Sequence, residues 1–352
     1  MKLEIIKKIP DCRLLWTGGG KYLAAKGNRF FFVDGEGNHL SKPGEVGATW
    51  ERGLSRVRLF RHFLRLGVHH LLPLGDGAFL VIIRKRAYRV EADGAITSEF
   101  RFPRGNKPAA KGVCVTPAGD IFLAEYALNG QRTLPAMVHR SRDGGKTFET
   151  VHEFEAGLIR HYHFVQWDPY ENCLWMGTGD ADSECLLFRG DESGENWTNA
   201  GGGSQLWRAV GVAFRPEALY WGTDAGSDAG THPNFVMRFD RKTRELRKVM
   251  EVQGPCHGNA ALSDGTLVVT TGVEGGQNEK DRSAHLWASR DGVSWEELFS
   301  CKKDLWPHIV QFGVIRFPQG MESGEKLAFT CFGLEGRGER SLIARITDGQ
   351  PV

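Results

Sequence analysis

Imidazole, guanidinium and indole side chains crowd into three short stretches of this chain. The densest is Arg160-His161-Tyr162-His163. Read as the start of a strand, it places His161 and His163 on one face and Tyr162 on the other, because side chains alternate. Two imidazoles on one face can trade protons near neutral pH or hold a metal ion. Gln205-Leu206-Trp207-Arg208 and Pro255-Cys256-His257-Gly258 are the other two stretches. An arginine can grip a carboxylate through two parallel N–H bonds, which a lysine cannot. Trp207 and Trp221 can stack on a sugar ring, although tryptophans more often fill a core. If the strands are neighbours, His163, Arg208 and His257 stand side by side. With Tyr162 they are the candidate catalytic residues, suited to acid–base work on an anionic substrate.

A repeat would bring such distant residues together. Short apolar strands recur, with starts near 13, 70, 112, 163, 209, 258 and 309, a period of about 40 to 57 residues. Phe79-Leu80-Val81-Ile82-Ile83 and Ile121-Phe122-Leu123-Ala124 are typical. Four strands per unit at this period predicts an all-β, seven-bladed β-propeller of four-stranded antiparallel blades, one domain over residues 1–352. The seventh unit offers only three strands before the chain ends. Leu3 to Lys7 supplies the fourth, so the N-terminal strand closes the ring and removes an open edge. Six blades, with an irregular segment over 36–67, is the alternative.

Aligning the units shows a ring of polar positions. Before the first strands come Arg13, His70, Lys111, His163, Arg208, His257 and His308. After the second strands come Glu125, Asp180, Asp224, Glu274 and Glu335. Propellers bind ligands at one mouth of a central channel, and these positions would line it. His70, Lys111, Glu125, His161, Asp180, Trp207, Asp224, Glu274, His308 and Glu335 are therefore the candidate substrate-binding residues. The alternative is a water-filled channel whose polar lining does nothing but satisfy itself. Asp180-Ala181-Asp182-Ser183-Glu184 lacks the glycine and the length of an EF-hand loop and reads as a solvated hairpin loop, so no metal or other cofactor is expected. Asp224 to His232 reads as a long loop at the mouth, where function often lies.

Composition narrows the classes. The 352 residues are 41% hydrophobic and 25% charged, with a formal net charge of +2. No Lys/Arg block dominates, so no nucleic-acid partner is expected. No apolar run approaches the roughly 18 residues of a membrane helix. The start, Met1 to Pro10, alternates like a strand rather than forming the apolar core of a secretion signal. Seven cysteines without a Cys-x-x-Cys suggest reduced thiols and a cytoplasmic location. A monomer is expected.

The octet Ser141-Arg142-Asp143-Gly144-Gly145-Lys146-Thr147-Phe148 is the most distinctive turn. Asp can bond N–H groups two residues on, and Gly accepts positive φ. Ser289-Arg290-Asp291-Gly292-Val293-Ser294-Trp295 is one residue shorter, and Asp191-Glu192-Ser193-Gly194-Glu195-Asn196-Trp197 has one inserted. The octet resembles the Asp-box (BNR repeat) of sialidase-like β-propellers, with Phe148 in place of Trp. In that group the box is a structural turn, so it carries no catalytic role. The resemblance implies a carbohydrate-active propeller, a polysaccharide lyase or glycosidase, or a non-catalytic binding member. Sialidases themselves resemble one another in an N-terminal Phe-Arg-Ile-Pro and three carboxylate-gripping arginines. This chain has Lys8-Ile9-Pro10, so sialidase activity is not expected.

Three readings follow. The first is β-elimination on a uronate-containing oligo- or polysaccharide. Arg208 would neutralise the uronate, His163 or Tyr162 would take the C5 proton, and His257 would assist. The second is glycoside hydrolysis by carboxylates drawn from Asp180, Asp224 and Glu274. The third is a propeller that only binds a sugar or a protein.

Overall fold

The computed structural model describes residues 1–40, 44–104, 107–320, 326–336 and 338–348. The fold is a seven-bladed β-propeller of four-stranded antiparallel sheets. By compactness the chain divides into two units, residues 68–216 and residues 1–67 with 217–352.

Within residues 68–216, three blades follow one another. Blade 2 is Val68–Pro73, Phe79–Ile83, Arg86–Val90 and Ile96–Arg101. Blade 3 is Val113–Val115, Ile121–Ala124, Ala136–Ser141 and Glu149–Phe154. Blade 4 is His161–Asp168, Cys173–Gly179, Leu186–Gly190 and Trp197–Gly202. The second strands are almost wholly buried, Cys173–Gly179 along its whole length. Neighbouring sheets cover both their faces, so they read as unbroken apolar runs. The outermost strands are only partly covered, as at Ile96–Arg101. Ile121 and Leu123 pack with Leu80 and Ile82, whereas Phe122 and Ala124 pack with Val165, Leu174 and Met176. Alternation along blade 3 thus ties it to both neighbours.

The other unit holds blade 1 (Arg13–Gly18, Lys21–Lys26, Arg29–Asp34, Gly44–Glu45), the strands Ala218–Gly222, Asn234–Asp240 and Leu246–Val252 of blade 5, and blade 6 (Cys256–Ala261, Leu267–Thr271, Ser283–Ser289, Glu296–Lys302). Blade 7 joins Val314–Arg316, Lys326–Phe332 and Arg340–Thr347 to the N-terminal Lys2–Pro10. Lys2 faces Thr347 and Pro10 faces Arg340, so the expected closure is present. There are seven blades, not six. Blade 7 starts at Val314 rather than near 309: Leu305 and Ile309 lie in an exposed connection, 95% and 94% accessible. Between blades 1 and 2, the Arg-rich segment forms two short helices, Thr49–Ser55 and Arg58–Phe63. The Glu51 carboxylate starts the first by accepting the Ala48 N–H (2.9 Å).

The hairpin at 141–148 is built as its residues dictate. Asp143 Oδ1 accepts the N–H groups of Lys146 (3.0 Å) and Thr147 (2.9 Å), and Oδ2 accepts the Thr147 hydroxyl (2.7 Å). Burial opposes ionisation of Asp143, but these Thr147 and Lys146 bonds with the Ser141 hydroxyl outweigh it and hold the carboxyl down to about 2. Gly144 and Gly145 take φ of 71° and 85°. Phe148 packs on Phe100 with ring centroids 4.8 Å apart. At 289–294, Asp291 likewise accepts the N–H groups of Val293 (2.8 Å) and Ser294 (2.7 Å).

A second local feature matters more for chemistry. The first strands of blades 2, 4 and 6 each carry a register shift that skips one residue: His69, His163 and His257 respectively. A bulge leaves its extra residue out of the ladder and re-aims that side chain. Three of the chain's imidazoles therefore leave their strands at equivalent places.

Candidate functional site

In residues 68–216, the bulge at His163 and the end of the next strand meet. His161 pairs across from Gly179. Gly179 has φ of 149°, and a Cβ there would come 3.1 Å from Cys185 Sγ, so this turn suits glycine. The chain bends there and brings the Asp180 carboxylate under both histidines. Asp180 Oδ1 lies 3.1 Å from His163 Nε2 and 3.0 Å from the Arg208 guanidinium. Its Oδ2 lies 2.6 Å from Arg160 and 3.5 Å from His161 Nε2.

The network extends outward. Glu184 accepts the Arg160 N–H (3.0 Å) and pairs with Arg132 (2.7 Å). Gln205 Nε2 donates to the Asp180 carbonyl and to Asp182 Oδ1, both at 2.8 Å. Asp182–Glu184 is a 3₁₀ turn and Glu184 is buried. Ala181, Asp182 and Ser183 are exposed, as expected of a solvated loop, while the buried Asp180 and Glu184 at its ends brace the network. In the ion pairs, Arg132, Arg160 and Arg208 face Asp180 and Glu184, leaving a net positive centre.

Burial opposes charge on Asp180, but His161, His163 and Arg208 outweigh it and hold the carboxyl far below the usual carboxylate range. For His163 burial wins. It pushes the imidazole below its ordinary value, the Asp180 contact offsets only part of this, and His161 and Arg208 add to the lowering.

The two imidazoles are not equivalent. His163 Nδ1 faces the Ala209 carbonyl at 3.1 Å and Nε2 faces Asp180, so both nitrogens are engaged. His161 Nδ1 lies 2.9 Å from the Ala127 carbonyl, which can only accept, so this nitrogen carries the hydrogen. His161 Nε2 has no hydrogen-bond partner among the described residues. It is the nitrogen able to take a proton. The Tyr126 ring packs against the His161 ring, centroids 4.0 Å apart and tilted by 31°, a contact that strand alternation gave no means to foresee.

Tyr162 lies elsewhere. It is fully buried among Val138, Val165 and Met176, and its hydroxyl sits 2.8 Å from His152 Nδ1. Burial raises its ionisation well above the usual phenol value. It is a core residue, not an acid–base group beside His163.

The remaining expected residues divide between the units. In residues 68–216, Glu125 Oε1 is 3.3 Å from His139 Nε2, a partner that no alignment of strand starts pointed to. His70 Nε2 bonds the Pro108 carbonyl (3.0 Å); the bulge residue is its neighbour His69, so the alignment of blade 2 was one residue off. Lys111 packs against Gly211 and has no ion-pair partner among the described residues; burial alone pushes its amine down to about 8. Trp207 lies half-buried over Gly201, and its ring fills the place of a Cβ there. In the other unit, Trp221 is wholly buried. His257 belongs with Asp224 and Glu274. His308 packs on Gly275, Glu335 is in an exposed turn, and Arg13 pairs with buried Glu339.

None of the seven cysteines is in a disulfide among the described residues, and six are buried. Among the described residues, no helix is long and apolar enough to cross a membrane.

Neither the family models nor the curated proteins contain a match to this chain. Solved structures do resemble it. The Pan2 WD40 domain of Neurospora crassa is 12% identical with a TM-score of 0.58, covering 99% of this chain and 97% of that one. An oligogalacturonate lyase in complex with manganese is 10% identical with a TM-score of 0.61, covering 98% and 93%. The oligogalacturonate lyase of Vibrio parahaemolyticus is 11% identical with a TM-score of 0.58, covering 98% and 94%. At these identities the likeness establishes the β-propeller fold and nothing finer.

Proposed function

We propose that this propeller cleaves an acidic, uronate-containing oligo- or polysaccharide by β-elimination at the Asp180 cluster. The observation that carries the reading is the buried, unbonded Nε2 of His161 beside the Arg160 and Arg208 guanidinium groups. Elimination needs a cation to draw charge from the uronate carboxylate and a base to take the C5 proton. Arg160, the more exposed of the two arginines, binds the carboxylate, while Arg208 is held at Asp180 and supports the field. His161 Nε2 takes the C5 proton, and Asp180 stabilises the imidazolium. The C4–O bond breaks as the C4–C5 double bond forms, and solvent protonates the leaving oxygen. The propeller likeness to two oligogalacturonate lyases agrees with this at the level of fold. The test is incubation with oligogalacturonates and other uronates, following absorbance of the unsaturated product. A rise is expected. Reducing ends without that absorbance would mean hydrolysis and overturn the reading.

A second reading has its own support. His161, His163 and Arg208 are 1%, 3% and 5% exposed, as in a structural ion network. On that reading the protein binds without turnover, and no uronate is consumed.

A further inference from the structure

A separate group in residues 1–67 with 217–352 joins one imidazole to two carboxylates. Asp224, His257 and Glu274 each offer a ligand atom, and these atoms lie within 4.8 Å of one another. His257 is the bulge residue of blade 6, and Glu274 follows the second strand of that blade. His257 Nε2 is 2.9 Å from Glu274 Oε1, yet it makes no aligned hydrogen bond among the described residues. Distance is met and direction is not, as when two groups point at a common third point rather than at each other.

The backbone is shaped around these side chains. A Cβ on Gly226 would fall 2.4 Å from Glu274 Oε2, and a Cβ on Gly272 would fall 2.4 Å from His257 Cδ2. Neither position admits a side chain without displacing the cluster. Asn234, itself fully buried, pins both flanks of Asp224: its Oδ1 accepts the Ala225 N–H (2.8 Å) and the Thr223 hydroxyl (3.0 Å). His308 packs on Gly275, next to Glu274, with a buried Nδ1 that lacks a partner among the described residues.

The same spacing occurs at His161, His163 and Asp180, but there two guanidinium groups already sit on the carboxylate oxygens. A cation would meet two fixed positive charges. At the second group two carboxylates face one imidazole.

We infer that Asp224, His257 and Glu274 form a binding site for a divalent transition-metal ion. A mixed imidazole and carboxylate set suits zinc or manganese, whereas calcium and magnesium favour oxygen donors. Three protein ligands leave coordination positions for water or a ligand oxygen. The inference stands apart from the saccharide reading, because it uses no residue of the Asp180 cluster.

The test uses the full chain stripped with chelator and titrated with zinc or manganese chloride alone in a calorimeter. One ion per chain is expected. Glu274→Gln and Asp224→Asn should each weaken binding about 100-fold, outer-shell changes alone being worth about 10–100-fold. His161→Ala should leave binding unchanged. Circular dichroism of the metal-free variants checks that they fold. A measurement on the unaltered protein guards against variants that do not: manganese should selectively broaden the His257 imidazole resonances. No saturable binding, binding indifferent to Glu274→Gln in a folded protein, or broadening centred on His161 and His163 would overturn the inference.

Discussion

His163 Nε2 rests 3.1 Å from Asp180 Oδ1, a contact made between the bulge of one strand and the turn that ends the next. Asp180 contacts both arginines, Arg160 at 2.6 Å and Arg208 at 3.0 Å. Removing its charge takes a counter-charge from each.

Asp180→Asn is therefore expected to destabilise the fold by about 3 kcal/mol, because a buried ion network loses the carboxylate charge that two guanidinium groups contact. Urea unfolding measures this, and a change below about 1 kcal/mol would mean that solvent already screens the network.

The same contact sets a pH dependence. His163 has a folded value lowered by burial, and Asp180 one lowered by its His and Arg contacts. Below about pH 6.5 the unfolded chain protonates His163 while the folded chain resists, so stability falls as pH drops. Asp180 adds a further loss in the same direction below about pH 4. Unfolding free energy measured from pH 8 down to 5 should decline, and His163→Asn should flatten the upper part of that slope.

Turnover should separate the two imidazoles. His161→Ala is expected to lower kcat about 10²–10⁴-fold with KM little changed, the usual loss for a general base. Arg160→Ala is expected to raise KM more than it lowers kcat, because that arginine binds the substrate carboxylate. Equal effects of His161→Ala and His163→Ala on kcat would contradict the assignment of the unbonded nitrogen.

Trp175 tests the core of blade 4. It is 1% exposed, and its indole N–H reaches Asp168 at 3.1 Å. Trp175→Ala should cost about 3–5 kcal/mol, and Trp175→Phe less, as read by chemical denaturation.

The blades were legible because the second strands are largely covered on both faces and several are written as unbroken apolar runs, such as Ile121–Ala124 or Phe79–Ile83. The N-terminal closure was legible from a missing fourth strand. The turn at 141–148 was legible because its Asp, Gly and Thr each make a local bond. Three things were hidden. A bulge shifts side chains by one residue without leaving a mark in composition, so His70 was aligned where His69 belongs. Ile309-Val310-Gln311-Phe312 has a strand's apolarity, but Val314–Arg316 is what pairs with Lys326–Phe332. Contacts between separate strands, such as Glu125 with His139, depend on register and not on spacing along the chain.

The pairing of Lys2–Pro10 with Arg340–Thr347 has a consequence for biosynthesis. Lys2–Pro10 is synthesised long before the strand it pairs with. Blade 7 is complete only after the two meet, and the rate of that step is governed by a very long loop closure.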